Sequence, residues 1–258
     1  MVRESKKIAR GFNWRLSLVI LALGVVGVST AMAGFKLRQY ALMDPQFMLS
    51  RDHQDALVIQ GLNYTPRAQV QQVFTGDFDH SIFSVPLAER RQRLLAIDWV
   101  EDASVSRIWP DRLSVRIRER KPVAFVLFRA GVLLIDAYGV LLDPPAQAHL
   151  AFPVLSGMRE NETQAQRRER VRALLRLQED MGYMAKDVSE VNAADPDNIR
   201  IVAQVENRAV ELMMGDGNFA RRYQNFLSHY PEIRKRSPNV KTFDLRLDGQ
   251  VTAKDGPP

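Results

Sequence analysis

The chain has 258 residues, 36 Lys and Arg against 30 Asp and Glu, and no cysteine. The missing cysteines exclude disulfide support, thiolate catalysis and Cys-ligated metal sites. The net charge of +6 does not mark a nucleic-acid binder: the excess sits in the N-terminal tail and between Arg167 and Arg176, and no basic stripe interleaves with aromatics.

Leu16 to Phe35 is a run without charge or proline. As a helix rising ~1.5 Å per residue it covers ~30 Å, the hydrocarbon thickness of a bilayer. The sequence predicts a transmembrane helix over 15–36 with boundaries at Leu16 and Phe35. Trp14 and Phe35 suit the two interfaces. The tail over 1–14, with Arg15 next to it, carries Arg3, Lys6, Lys7, Arg10 and Arg15 against Glu4. The positive-inside bias puts that tail in the cytoplasm and the body outside, despite Lys36 and Arg38. Ala31-Met32-Ala33 also fits a signal-peptide cleavage site, which would release a secreted periplasmic interaction protein. The apolar run is longer than the usual ~7–15-residue signal core, which favours an uncleaved anchor.

Residues 37–53 show no clear period and read as a stalk. Ala56 to Gln60 is a short strand ended by Gly61. Thr65-Pro66 offers an N-cap and a first helical residue, followed by Val70, Val73 and Phe74 at helical spacing. Pro86 starts a second helix through Leu94 and Leu95. Ala103, Val105 and Arg107 alternate with Ser104, Ser106 and Ile108. After the Trp109-Pro110-Asp111 turn, Leu113, Val115 and Ile117 alternate with Ser114, Arg116 and Arg118, a strand with one wet face. This predicts a β-α-α-β-β module over 54–121. Trp109 reads as a packing residue beside Pro110.

A mainly β domain with flanking helices is predicted over 122–254, giving an α+β chain. Val123–Phe128 and Val132–Ile135 form a hairpin around Arg129-Ala130-Gly131. Val140-Leu141-Leu142 is a further short strand. A helix over Asn161–Met181 turns Val171, Leu174, Leu175 and Met181 inward and Arg167-Arg168-Glu169-Arg170 to solvent. Strands follow at Ile199–Gln204 and Ala209–Met213, then a helix through Phe219, Tyr223, Phe226 and Leu227. Lys241–Leu247 is the last predicted strand, and 255–258 reads as a frayed tail.

Nothing points to catalysis. His53, His80, His149 and His229 lack a ligand neighbour at i+4, and no G-x-S-x-G, H-E-x-x-H or phosphate-cradling loop occurs. No two acids stand out as a glycosidase pair. The reading is a non-enzyme without metal, cofactor or small-molecule substrate.

Several segments carry a resemblance. Trp99-Val100-Glu101-Asp102-Ala103-Ser104-Val105-Ser106-Arg107-Ile108-Trp109-Pro110-Asp111-Arg112-Leu113-Ser114-Val115 is similar to P-W-V-x-x-A-x-V-x-R-x-W-P-x-x-L-x-V. Glu119-Arg120-Lys121-Pro122-Val123-Ala124 resembles E-x-x-P-V-A, and Leu134-Ile135-Asp136-Ala137-Tyr138-Gly139 resembles L-V-D-x-x-G. Phe152-Pro153-Val154-Leu155-Ser156-Gly157 resembles L-P-x-L-x-G, and Asp244-Leu245-Arg246-Leu247-Asp248-Gly249 resembles D-L-R-Y-x-x-G. These are motifs of the FtsQ/DivIB family of bacterial cell-division proteins. Asp98, Pro86 and Gly61-Leu62-Asn63 depart from it at turns or helix starts. Leu247 stands in place of the family's usual tyrosine.

The resemblance implies a POTRA domain followed by a family-specific β-domain. It implies a non-enzymatic inner-membrane scaffold at the division septum that binds FtsB-like and FtsL-like proteins and other divisome components, and helps regulate septal peptidoglycan synthesis. The expected partner site is the final strand, as a free edge: Thr242, Phe243, Asp244, Leu245, Arg246, Leu247 and Gly249, with Arg246 facing an acid of the partner. The expected recruitment surface on the POTRA hairpin is Glu101, Asp102, Val105, Arg107 and Arg112, around its turn. POTRA modules also occur in outer-membrane assembly and transport factors, but those carry repeated modules or a C-terminal barrel.

Overall fold

A computed structural model describes residues 14–51, 55–145 and 150–254. The basic residues ahead of Trp14, the side chains of Trp14, Arg15 and Leu16, His53, Gln54, His149 and the tail over 255–258 lie outside the described part.

Helix α1 (Trp14–Met43) runs unbroken through the apolar stretch and eight residues beyond Phe35. The predicted stalk is therefore helical for its first half. Leu37 to Met43 contains no helix breaker, and the helix stops only where Asp44 precedes Pro45 and caps a short 3-10 turn through Gln46. Leu21–Met43 is long and apolar enough to cross a membrane, with none of it buried.

The chain divides into two compact units. One holds the described residues up to Gln60, Pro66–Leu94 and Ala103–Ile117; the other holds Gly61–Thr65, Leu95–Asp102 and the chain from Arg118 onward. The first unit contains β1 (Leu57–Gln60), α2 (Arg67–Gln72), α3 (Leu87–Leu95) and most of β2 (Val100–Ile108) and β3 (Arg112–Glu119). These make a three-stranded sheet in the order β1-β3-β2, with β1 parallel to β3. Val70, Phe74, Ile82, Leu94, Leu113 and Val115 are buried, as the period-2 and period-3.6 patterns require. Arg90 and Asp77 form a buried bidentate pair at 2.6 and 2.8 Å.

Thr65 does not cap α2. Pro66 holds the N-cap position, with no side-chain cap hydrogen bond. The start of this segment is instead fixed in the second unit by Glu119. Its carboxylate accepts the backbone N–H groups of Asn63, Tyr64 and Thr65 at 3.0, 3.0 and 2.7 Å. Burial pushes this carboxyl up, but the hydrogen bonds from Thr65, Tyr64 and Asn63 together outweigh it and hold it below the usual glutamate range.

The second unit is built on a nine-stranded mixed sheet. Its strands are β4 (Pro122–Phe128), β5 (Gly131–Asp136), β6 (Leu141–Leu142), β7 (Val154–Ser156), β8 (Val188–Asn192), β9 (Ile199–Val205), β10 (Arg208–Gly215), β11 (Thr242–Asp244) and β12 (Thr252–Lys254), in the order β12-β11-β10-β9-β8-β7-β4-β5-β6. Two helices, α4 (Gln164–Met181) and α5 (Phe219–Arg236), cover its core. A Thr163/Gln166 capping box starts α4. Its charged stretch is not all solvated: Arg170 grips Glu162 at 2.7 Å and reaches the carbonyls of Ala193 and Ala194, while Arg167 donates to Gly139 and Glu162 carbonyls. Asp136 is 2 % exposed; it accepts from Tyr138 and Val140 N–H and pairs with Arg120 at 2.9 Å. One carboxylate thus shapes the turn that Gly139 closes.

Candidate partner-binding site

The predicted final strand is shorter than expected and is not the last. Only Thr242–Asp244 pairs as β11, parallel to β10, and β12 covers its other side in antiparallel register. The Glu211 N–H donates to the Lys241 carbonyl at 2.8 Å, and the Leu245 N–H donates to Met213 at 3.0 Å. Residues 241, 243 and 245 therefore turn their main chain to β10, while Thr242 and Asp244 turn theirs to Lys254 and Thr252. Alternation along an antiparallel ladder then points the N–H and C=O of Ala253 away from the sheet. The open edge is carried by β12, and Thr252, Ala253 and Lys254 are all exposed.

The side chains follow this register in part. Phe243 and Leu245 are core residues, each 1 % exposed, with Phe243 against Phe226 and Tyr230 at 5.0 and 6.0 Å between centroids. Leu247 does not share their face: it is 66 % exposed, because the strand ends at Asp244 and a turn through Gly249 leads into β12. Arg246 is exposed and has an acid within the chain itself. Its guanidinium holds Asp244 at 2.9 and 2.7 Å, and Lys254 adds a third contact at 3.2 Å. The Arg246 hydrogen bonds hold the Asp244 carboxyl well below the usual carboxylate range, against the opposing effect of burial. Behind β12 lies a cleft of about 210 Å³ lined by His229, Glu232, Ile233, Arg236, Gly249 and Val251.

The residues expected to form one POTRA surface are not brought together. Glu101 and Asp102 sit at the start of β2, in the second unit, near Arg118 at 3.4 and 3.8 Å. They are not at the turn. Arg107 is occupied by the carbonyls of Ile82 and Val85 at 2.6 and 2.9 Å, a positioning role. Val105 is half-buried, and Arg112 begins β3 beside the turn. Trp109 is not buried by Pro110; it is 66 % exposed, with one side against Phe47 and Phe83. The sequence reading missed β7, β8 and β12, each three to five residues long, and the clamp made by Glu119. The Gly249 turn signal before Val251 was the one pointer to β12.

Residues 53–120 match the family model described as "POTRA domain, FtsQ-type", and 124–246 match "Cell division protein FtsQ/DivIB, C-terminal". The cell division protein FtsQ of Koribacter versatilis is 35% identical over 239 residues, covering 90% of this chain and 69% of the relative. This chain belongs to the FtsQ/DivIB family. Two further FtsQ relatives agree over similar lengths. That of Novosphingobium aromaticivorans is 28% identical over 91% of this chain and 71% of its own, and that of Shewanella oneidensis is 26% identical over 92% and 85%. A solved structure, the major extracytoplasmic domain of the trans isomer of DivIB from Geobacillus stearothermophilus, is 22% identical over 48% of this chain and 98% of that chain, with a TM-score of 0.26. Family members are non-enzymatic. Among the described residues, no three metal-ligating side chains cluster.

Proposed function

We propose that this chain is a single-pass inner-membrane scaffold of the division septum, with its N-terminus cytoplasmic and its body in the periplasm. In this reading it holds FtsB-like and FtsL-like partners and helps regulate septal peptidoglycan synthesis. The partner segment adds as a strand to β12. The observation that carries this is the open β12 edge, where the outward N–H and C=O of Ala253 offer a template for another chain. Main-chain hydrogen bonds would give affinity, and the cleft between α5 and Val251 would receive a partner side chain.

The register also selects the test. Leu245→Pro removes a core hydrogen bond and a buried side chain, so it tests folding rather than binding. Ala253→Pro removes an outward N–H and leaves the β11–β12 ladder intact, because proline is tolerated on an edge with its nitrogen facing solvent. Thr252→Pro removes an inward N–H and detaches β12. In co-purification of the full chain with FtsB-like and FtsL-like proteins of the same organism, Ala253→Pro should keep wild-type thermal stability and bind roughly tenfold or more weakly, from one lost hydrogen bond plus the ring's clash with an added strand. Undiminished binding by the folded Ala253→Pro protein would end the strand-addition reading.

A further inference from the structure

An exposed indole sits in an unusual place. Within the first unit, the Trp109 ring packs edge-on against Phe47 at 5.7 Å and Phe83 at 5.4 Å, and Phe47 packs against Tyr40 at 6.0 Å. The hairpin tip is therefore two ring contacts from the end of the apolar helix. That end is not a free joint. The Ser81 hydroxyl donates to the Ala41 carbonyl at 2.7 Å, Leu49 N–H donates to His80, and Ile82 N–H donates to Phe47. Gln46 reaches the Tyr40 hydroxyl at 2.8 Å. These bonds fix residues 79–83, and with them the face that supports Trp109, to the last turn of α1.

Distance along the helix gives the depth of this cluster. Tyr40 follows Phe35 by five residues, ~7.5 Å of rise. The headgroup layer on each side of a bilayer is about 5–8 Å thick. Tyr40 thus falls at its outer part, and Trp109 is linked to it through Phe47, with successive ring centroids 6.0 and 5.7 Å apart. Tryptophan and tyrosine concentrate in this layer, where the ring is half in apolar surroundings and its polar atom stays wet. Trp109, Tyr40 and Met43 are all more than half exposed. Asp111 and Arg112 next to the tip carry opposite charges, so any attraction there is apolar rather than electrostatic.

We propose that the β2–β3 tip is a lipid-contacting element: Trp109, with Tyr40, rests in the headgroup layer of the bilayer that α1 crosses. The tip gives the body a second point of attachment and so sets the tilt of the first unit on the membrane surface. This rests on the membrane-spanning reading of α1.

The test uses the full chain in nanodiscs of zwitterionic lipid carrying bromine high on the acyl chain, a short-range quencher of indole. Trp14→Phe removes the tryptophan at the other helix end, and Trp99, 8 % exposed, remains as a constant background. The expected result is quenching of the Trp14→Phe protein by brominated lipid, abolished in Trp14→Phe/Trp109→Phe. Exchange of zwitterionic for anionic lipid should leave that quenching unchanged. An inserted Trp14→Phe protein quenched by aqueous acrylamide but not by brominated lipid would overturn the proposal, as would quenching that persists without Trp109 or that requires anionic lipid. Failure of the chain to enter nanodiscs at all would instead overturn the spanning reading itself, and the proposal with it.

Discussion

Replacing Glu119 by glutamine should separate charge from shape at the entrance to α2. The carboxylate accepts three backbone N–H groups within 3.0 Å and is 9 % exposed. Glutamine can keep Oε1, which accepts all three N–H groups, but it puts an NH₂ in place of Oε2 opposite the Tyr64 N–H and removes the charge that strengthens each bond. A hydrogen bond to a charged group contributes about 1.5–3 kcal/mol against about 0.5–1.5 kcal/mol for a neutral one, and the Tyr64 N–H also meets a donor where it had an acceptor. Glu119→Gln should therefore destabilise the folded body by about 2–3 kcal/mol at pH 7. For a body of this size that is roughly 5–10 °C in melting temperature. The assay is thermal unfolding of the full chain in detergent, followed by circular dichroism from pH 7 to pH 3. The carboxyl is depressed in the fold, so its contribution is complete above its ordinary value of about 4.3 and is lost as pH falls through the folded value. The gap between wild type and Glu119→Gln should be widest near neutrality and shrink on acidification. A gap of less than about 0.5 kcal/mol at pH 7, or one that does not change with pH, would refute the clamp.

Three more outcomes follow from the second unit. Gly157→Ala should unfold or severely destabilise it, since φ is +81° and an added Cβ would lie 2.6 Å from the Ala194 backbone nitrogen; Gly249→Ala, at φ +77° in open space, should cost only about 1–2 kcal/mol of backbone strain, measured by chemical denaturation. Tyr223→Phe should be neutral or up to about 1 kcal/mol stabilising at pH 7, because the buried hydroxyl has no partner. Burial, with the Asp187 charge second, pushes the Tyr223 phenol up to about 12, so wild type should lose more stability than Tyr223→Phe as pH rises above about 10, a difference readable in melting temperatures. Arg246→Ala should move the Asp244 carboxyl back toward its ordinary value, seen by NMR titration. Its stability loss at pH 7 should fade below about pH 4 as that carboxyl protonates.

Local chemistry was legible in the residues. The apolar run, the β-α-α-β-β order and the alternation of Leu113, Val115 and Ile117 are periodicities, and burial of one face is a property that period alone reveals. Gly61, Trp109-Pro110-Asp111 and Arg129-Ala130-Gly131 were visible as turn chemistry, and the family followed from the order of its motifs along the chain. The short strands were not visible. Val154–Ser156 and Thr252–Lys254 are too brief to show a period, and they exist because a neighbouring strand presents unpaired main-chain groups to them.

The candidate site was legible only by region. Residues 242–249 read as a free final strand, but β12 pairs along the outer side of β11, and which residue faces outward depends on two hydrogen bonds to β10 and on a turn that returns the chain through Gly249. Strand alternation puts Phe243 and Leu245 on one buried face, but it does not extend past the end of β11 to Leu247, which points to solvent. By itself, the sequence determined which segments are apolar enough to span or be buried and where the chain must turn, because those depend on each residue's own chemistry and near neighbours. Tertiary structure alone decided that β12 rather than β11 holds the open edge, that Arg246 is spent on Asp244, and that Trp109 sits beside the end of the apolar helix, because each depends on which distant main-chain and side-chain groups remain unpaired once the rest has folded.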